Sequence, residues 1–308
     1  MTRYTMFPVP ESEQWAMDLY KKAYQSFWIS DEVTFFDDRQ HFPNLDKDTQ
    51  YFIKHVLAFF ASADGIVNEN LALRFYGEFD SPIIRAFYAI QIGIEQIHSQ
   101  TYSEMIEALI DPLEQKDVFN SIETMPIIKK MGDYIKSIVD SQESLERRLI
   151  GMLCVEGILF SGSFCAIYFL KKNGKCPGLA AANELIARDE GLHAQFACEL
   201  YKEKCQRLPW KEVFTIVGNV VDLAREFAVE ALPVALLGMN AEHMTTYIQS
   251  VADYWLQHLG YNPMFKAQNP FSWMIMISLE NKTNFFERRV TEYSKAEKTG
   301  DIKLVEDF

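Results

Sequence analysis

The sequence predicts an all-α protein organised around a four-helix core, and three observations carry that expectation. Apolar residues recur three and four apart through most of the 308 residues, the period of a helix with one buried face. Gly and Pro are sparse, at 14 and 11 residues, which disfavours a strand-and-turn architecture. A repeated order of acid then Glu-x-x-His runs along four of the apolar segments, at Asp64, Glu95/His98, Glu156 and Glu190/His193.

Helix boundaries follow from the breakers. Ser81-Pro82, Asp111-Pro112 and Pro126 punctuate the first half; Asn173-Gly174, Pro209, Pro233, Asn262-Pro263 and Asn269-Pro270 punctuate the second. Pro209 suits the first turn of a helix through WKEVFTIVGNVVDLAREFAVEAL, where its missing N–H costs nothing. Lys171 and Lys172 suit the C-terminal end of a helix that begins near Leu145. No Gly-, Ser- or Pro-rich linker interrupts the pattern, so residues 1–295 read as one helical domain. Residues 296–308 are too polar to pack and read as a mobile tail.

Composition narrows the function. An apolar share of 48%, with 23 Phe, supports a large core. A net charge of -13 excludes nucleic-acid binding through a broad basic surface. The five cysteines form no C-x-x-C pair, and their odd number fits no simple disulfide framework. The start, MTRYTMFPVPESEQW, lacks the apolar run of a signal peptide, so a cytoplasmic setting is expected. Residues 152–170 are long and apolar enough to cross a bilayer. They carry Glu156, and the sequence suggests no second span, so this segment is expected to be the central helix of a soluble bundle.

A single Glu-x-x-His is weak evidence; two copies on apolar helices are much stronger. Gln91, Glu95, His98, Tyr102, Met105 and Leu109 form one helical stripe, and Ile186, Glu190, His193 and Ala197 form another. An i, i+3 pair lies about 5–6 Å apart at Cβ, so its carboxylate and imidazole can reach one ion. Asp64 interrupts an apolar stripe through Leu57, Phe60, Val67 and Leu71, and Glu156 interrupts one through Met152, Phe160, Ser163 and Ile167. Arg147 and Arg148 stand two turns or more from Glu156 and are poorly placed to neutralise it. Four carboxylates in a core would each cost several kcal/mol unpaired. Two divalent cations offset all four charges. Oxygen-rich donors with two imidazoles suit iron or manganese, and no cysteine spacing suggests structural zinc.

Such centres store iron, hydroxylate or desaturate substrates, or oxidise a protein side chain. Tyr102 separates the options, because it stands one turn past His98, about 6 Å along the axis. Its phenol is expected near the metals, facing Phe160 and Phe164. Those rings leave little room for a substrate, which disfavours an oxygenase or desaturase; an iron store would need no Tyr102.

The segments FFASADGIVNENL, EQIHSQTY, VEGILFSGSF and NELIARDEGLH closely resemble the small subunit of class I ribonucleotide reductase, in its eukaryotic and viral forms. The resemblance extends from about Trp28 to Tyr293. It implies a ferritin-like fold, a homodimer, two iron ions (or manganese) per chain and reaction with O2. It implies metal ligands at Asp64, Glu95, His98, Glu156, Glu190 and His193, and a stable radical at Tyr102 in a pocket lined by Phe160, Phe164 and Ile186. It further implies radical transfer through Trp28, Asp189 and Tyr293 to a separate large subunit that reduces ribonucleoside diphosphates. The tail IKLVEDF is expected to order on docking to that subunit. It departs from the common animal ending, and the chain lacks the N-terminal extension of animal forms.

Overall fold

Several helix starts fall where the sequence offers a side-chain oxygen to the free N–H groups of a first turn. The computed structural model describes residues 5–139, 143–231, 240–271 and 274, and all regular structure among them is helical. Helix α1 spans Gln14–Gln25 and α2 spans Phe36–His41. Asp46 caps α3 (Lys47–Glu78), accepting from the Thr49 N–H at 2.8 Å. Ser81 and Asp111 cap α4 (Pro82–Leu109) and α5 (Pro112–Phe119), each with proline in its first turn as the sequence predicts. Helix α6 (Pro126–Val139) follows a single turn at Ser121–Thr124. Ser144 caps α7 (Leu145–Lys172), which is followed by α8 (Pro177–Lys204), α9 (Trp210–Ala231) and α10 (Ala241–His258). Helix α9 begins one residue later than expected. Pro209 stands before its first turn and accepts there from the Glu212 N–H at 3.0 Å.

Helices α3 and α4 are joined by only residues 79–81, and α7 and α8 by 173–176, so each pair is a hairpin. Helices α4 and α8 pack together, and the rings of Phe59 and Phe60 on α3 meet Phe160 on α7 at 5.5 and 5.4 Å. These contacts close a four-helix core. Helix α1 covers α4 and α8, α6 covers α3, and α9 and α10 cover α7.

Among the described residues two helices, rather than the single one expected, are long and apolar enough to cross a membrane: Lys47–Glu78 and Leu145–Lys172. The most apolar stretch of the second is 94% buried and that of the first 67% buried, as core helices require. A π-helical turn interrupts each, at Leu71–Phe75 and Val155–Leu159. The boundary at 295, the tail 296–308, Tyr293 and Pro233 lie outside the described residues.

Candidate metal centre

Six side chains with metal-binding donors converge from the four core helices. Asp64 comes from α3, Glu95 and His98 from α4, Glu156 from α7, and Glu190 and His193 from α8. Each is at most 3% exposed. Donor atoms of Glu95, Glu156, Glu190 and His193 lie within 4.8 Å of one another, and so do those of Asp64, Glu95 and His98. Glu95 belongs to both groups, with its two oxygens divided between them. Its Oε1 lies 3.0 Å from His193 Nδ1, and its Oε2 lies 3.3 Å from His98 Nδ1. Glu190 also spans the pair, at 3.1 Å from His98 Nδ1 and 3.7 Å from His193 Nδ1.

These approaches are close, yet they are misaligned for hydrogen bonding. Asp64 Oδ2, Glu95 Oε1, both Glu190 oxygens and the Nδ1 atoms of His98 and His193 are buried without a hydrogen-bond partner. Buried polar atoms are nearly always satisfied, so six orphans facing one space indicate missing ligand bonds. The donor set fits a pair of divalent ions: four carboxylates, two imidazoles and no thiolate. Neither arginine relieves Glu156, since Arg147 pairs with Glu143 and Glu212, and Arg148 with Glu78.

Charge is strained throughout the cluster. Burial, then the charges of Glu95 and Glu190, pushes the Asp64 carboxyl well above the usual carboxylate range. Burial raises Glu156 as well, and Glu190 and Glu95 add to it against relief from His193. Burial would raise Glu95, but contacts with His193 and His98 outweigh it and hold the carboxyl at about 2. For His98, burial is overcome by Asp189, Glu190 and Glu95, and for His193 by Glu190 and Glu95; both imidazoles are raised well above their ordinary range. Without metal the site therefore holds protons that an ion must displace.

The surroundings orient these donors. Asp189 Oδ2 lies 3.3 Å from His98 Nε2 and accepts from Trp28 Nε1 at 2.7 Å, while its Oδ1 accepts from Arg188 at 2.9 Å. Burial opposes its charge, but Arg188 and His98 win and lower the carboxyl. Fixing the distal nitrogen of His98 points Nδ1 at the cluster. Gln91 donates to Glu156 Oε1 at 2.9 Å, a role not assigned from the sequence although Gln91 shares the Glu95 stripe. The π-helical turn at Val155–Leu159, marked by Phe160 N donating to Val155 O at 3.3 Å, carries Glu156; nothing in a periodicity reading reveals it.

Tyr102 is 2% exposed, and burial followed by the charge of Asp64 raises its phenol well above the usual range. The ring stacked on it belongs to Phe60, at 5.0 Å and 14°. Phe164 stacks on Phe60 at 4.9 Å, and Phe160 meets Phe60 edge-on. The expected partners are thus reached through Phe60, which lies one turn before Asp64 on α3. Ile186 is buried, 1% exposed, on the α8 stripe.

A family model described as ribonucleotide reductase, small chain, matches residues 3–270. The ribonucleoside-diphosphate reductase small chain of Nicotiana tabacum is 48% identical over 99% of this chain and 95% of its own length. Subunit M2 of the Homo sapiens enzyme is 48% identical over 95% of this chain and 75% of its own. Among solved structures, the Rnr4 homodimer of Saccharomyces cerevisiae superposes with a TM-score of 0.80 at 31% identity, covering 93% of this chain and 90% of that one.

Proposed function

This chain belongs to the ribonucleotide reductase small-chain family, and from that premise we propose that its two-ion centre oxidises Tyr102 to a stable radical lent to a large subunit. The ferritin-like fold and the enzyme assignment follow from the family, as does a large-subunit partner. The observation that carries the proposal is Glu95, shared between two groups of buried donors, with Tyr102 one turn past His98.

Asp64, Glu95, His98, Glu156, Glu190 and His193 would hold the ions, iron or manganese, with Glu95 and Glu190 placed to span both. The bound pair supplies one-electron oxidising power drawn from O2. Asp189 keeps His98 in the tautomer that presents Nδ1 inward. Gln91 fixes the orientation of Glu156. Phe60, Phe160 and Phe164 keep water and reductants from the Tyr102 phenol, which loses one electron and its proton. Trp28, joined to His98 through Asp189, begins the outward relay. Tyr293 continues it across the interface, and the tail 296–308 docks on the large subunit. The active small subunit is a homodimer that acts in the cytoplasm.

Oxygenating the Fe(II)-loaded protein should give a tyrosyl EPR signal. Tyr102→Phe should keep its metal and lose both the signal and turnover with the large subunit. Full activity in that variant would refute the radical assignment. An oxygenase on the same scaffold would instead retain activity towards its own substrate without Tyr102.

A further inference from the structure

We propose that Trp255 and Tyr254 form a second electron route to the metal centre, entered from a cleft that admits a small planar one-electron donor. This route is separate from the Trp28–Asp189–His98 chain and rests on the dimetal reading above. Its inner end is a close contact. Trp255 Nε1 donates to the carbonyl of Gly157 at 3.2 Å, and Gly157 directly follows Glu156 in the π-helical turn. A side chain at 157 would put its Cβ 2.5 Å from Trp255 Nε1, so only glycine lets the indole come this near. The indole is 8% exposed.

The outer end reaches water. The ring of Tyr254 meets that of Trp255 edge-on at 5.2 Å and lies 4.0 Å from the ring of His258. Tyr254 is 46% exposed. The rings therefore bridge from the residue beside a metal-binding carboxylate to the surface in two steps.

Both rings also line a cleft of about 740 Å³, within the size range of small-molecule sites. Phe164 and Tyr247 add to its aromatic walls, and Glu156 and Glu190 lie on its inner lining. Aromatic faces of this kind hold a flat, electron-rich ring by stacking. The outer lining thus favours an aromatic donor, and the inner lining places the electron acceptor next to it.

The net step moves one electron from the donor to the oxidised centre, with no net bond made or broken. Trp255 passes its electron inward and becomes a transient indole radical cation whose proton stays on Nε1, held by the Gly157 carbonyl. Tyr254 refills Trp255, releasing its phenol proton to the water it faces and regaining it with the electron it takes from the donor, which becomes a radical cation.

The test uses tetramethyl-p-phenylenediamine, whose radical cation is coloured. With metal-free protein, the donor should quench part of the tryptophan fluorescence in the wild type, and Trp255→Phe should remove that part. With iron-loaded, oxygenated protein, radical-cation formation should slow by at least about tenfold in Trp255→Phe. It should also slow in Tyr254→Phe, a substitution at an exposed ring that leaves the fold intact. Metal content is measured in every sample. Equal donor oxidation rates in wild type and both variants, or no quenching assignable to Trp255, overturn the proposal. The tyrosyl EPR signal of the same wild-type samples separates the two readings. If the signal forms while donor oxidation ignores both substitutions, the route is wrong and the centre stands; if it never forms, the centre fails and the route with it.

Discussion

Glu95 shows what a single residue does in this core. Its carboxyl is held at about 2 by two imidazoles, and each oxygen faces a different group of donors. Gln91 matters in a quieter way, since its amide is the only side-chain hydrogen bond recorded for Glu156 among the described residues. Gln91→Leu removes that bond at a buried site. The expected cost is about 1–3 kcal/mol of stability and a roughly 10- to 100-fold loss of metal affinity, read by thermal unfolding and by metal titration. Unchanged affinity would show that Gln91 packs without positioning the ligand.

Elements decide how these residues meet. Helix α8 begins at Pro177 after Cys176, whose φ of 48° lies in the left-handed region and whose side chain makes no cap. The cap comes from far away: Asp38 on α2 accepts from the N–H groups of Gly178 and Leu179, both at 2.8 Å. Asp38→Ala strands two buried donors at the start of the helix that carries Glu190 and His193. A loss of about 1–3 kcal/mol is expected in denaturant unfolding, and Asp38→Asn, which keeps an acceptor, should recover part of it. Several starts carry a local signal, because Asp46, Ser81, Asp111 and Ser144 cap their own helices. The sequence could not announce Asp38, whose partners lie 140 and 141 residues away. The same limit hid Phe60 and Trp255. Phe60 was visible on the Asp64 stripe, but which ring meets Tyr102 depends on how α3 and α7 pack. The six candidate ligands were legible because buried acids on apolar stripes are costly, and these four acids and two histidines follow one repeated order.

At the scale of the whole molecule, the bundle buries four acids together, and metal or protons must offset them at neutral pH. In the metal-free protein Asp64 and Glu156 are raised, so they destabilise increasingly as pH climbs above their ordinary values near 4. His98 and His193 are raised too; their stabilising contribution is complete below about 6.5 and is lost as pH rises through their folded values. All four trends run the same way. Metal-free protein should lose stability from pH 6 to pH 8, and metal should bind more tightly over that range as it displaces protons. The gap in Tm between loaded and metal-free protein should therefore widen with pH; a constant gap would mean that these groups do not titrate with metal binding.

The proposed two-ion centre, with Glu95 common to both donor groups, underlies the metal-binding expectations. Anomalous diffraction from crystals loaded with Fe(II) tests it most directly. Two peaks per chain are expected, one among Glu95, Glu156, Glu190 and His193 and one among Asp64, Glu95 and His98, with Glu95 between them. A single peak, or two peaks with Glu95 bound to neither or only one, would contradict the account.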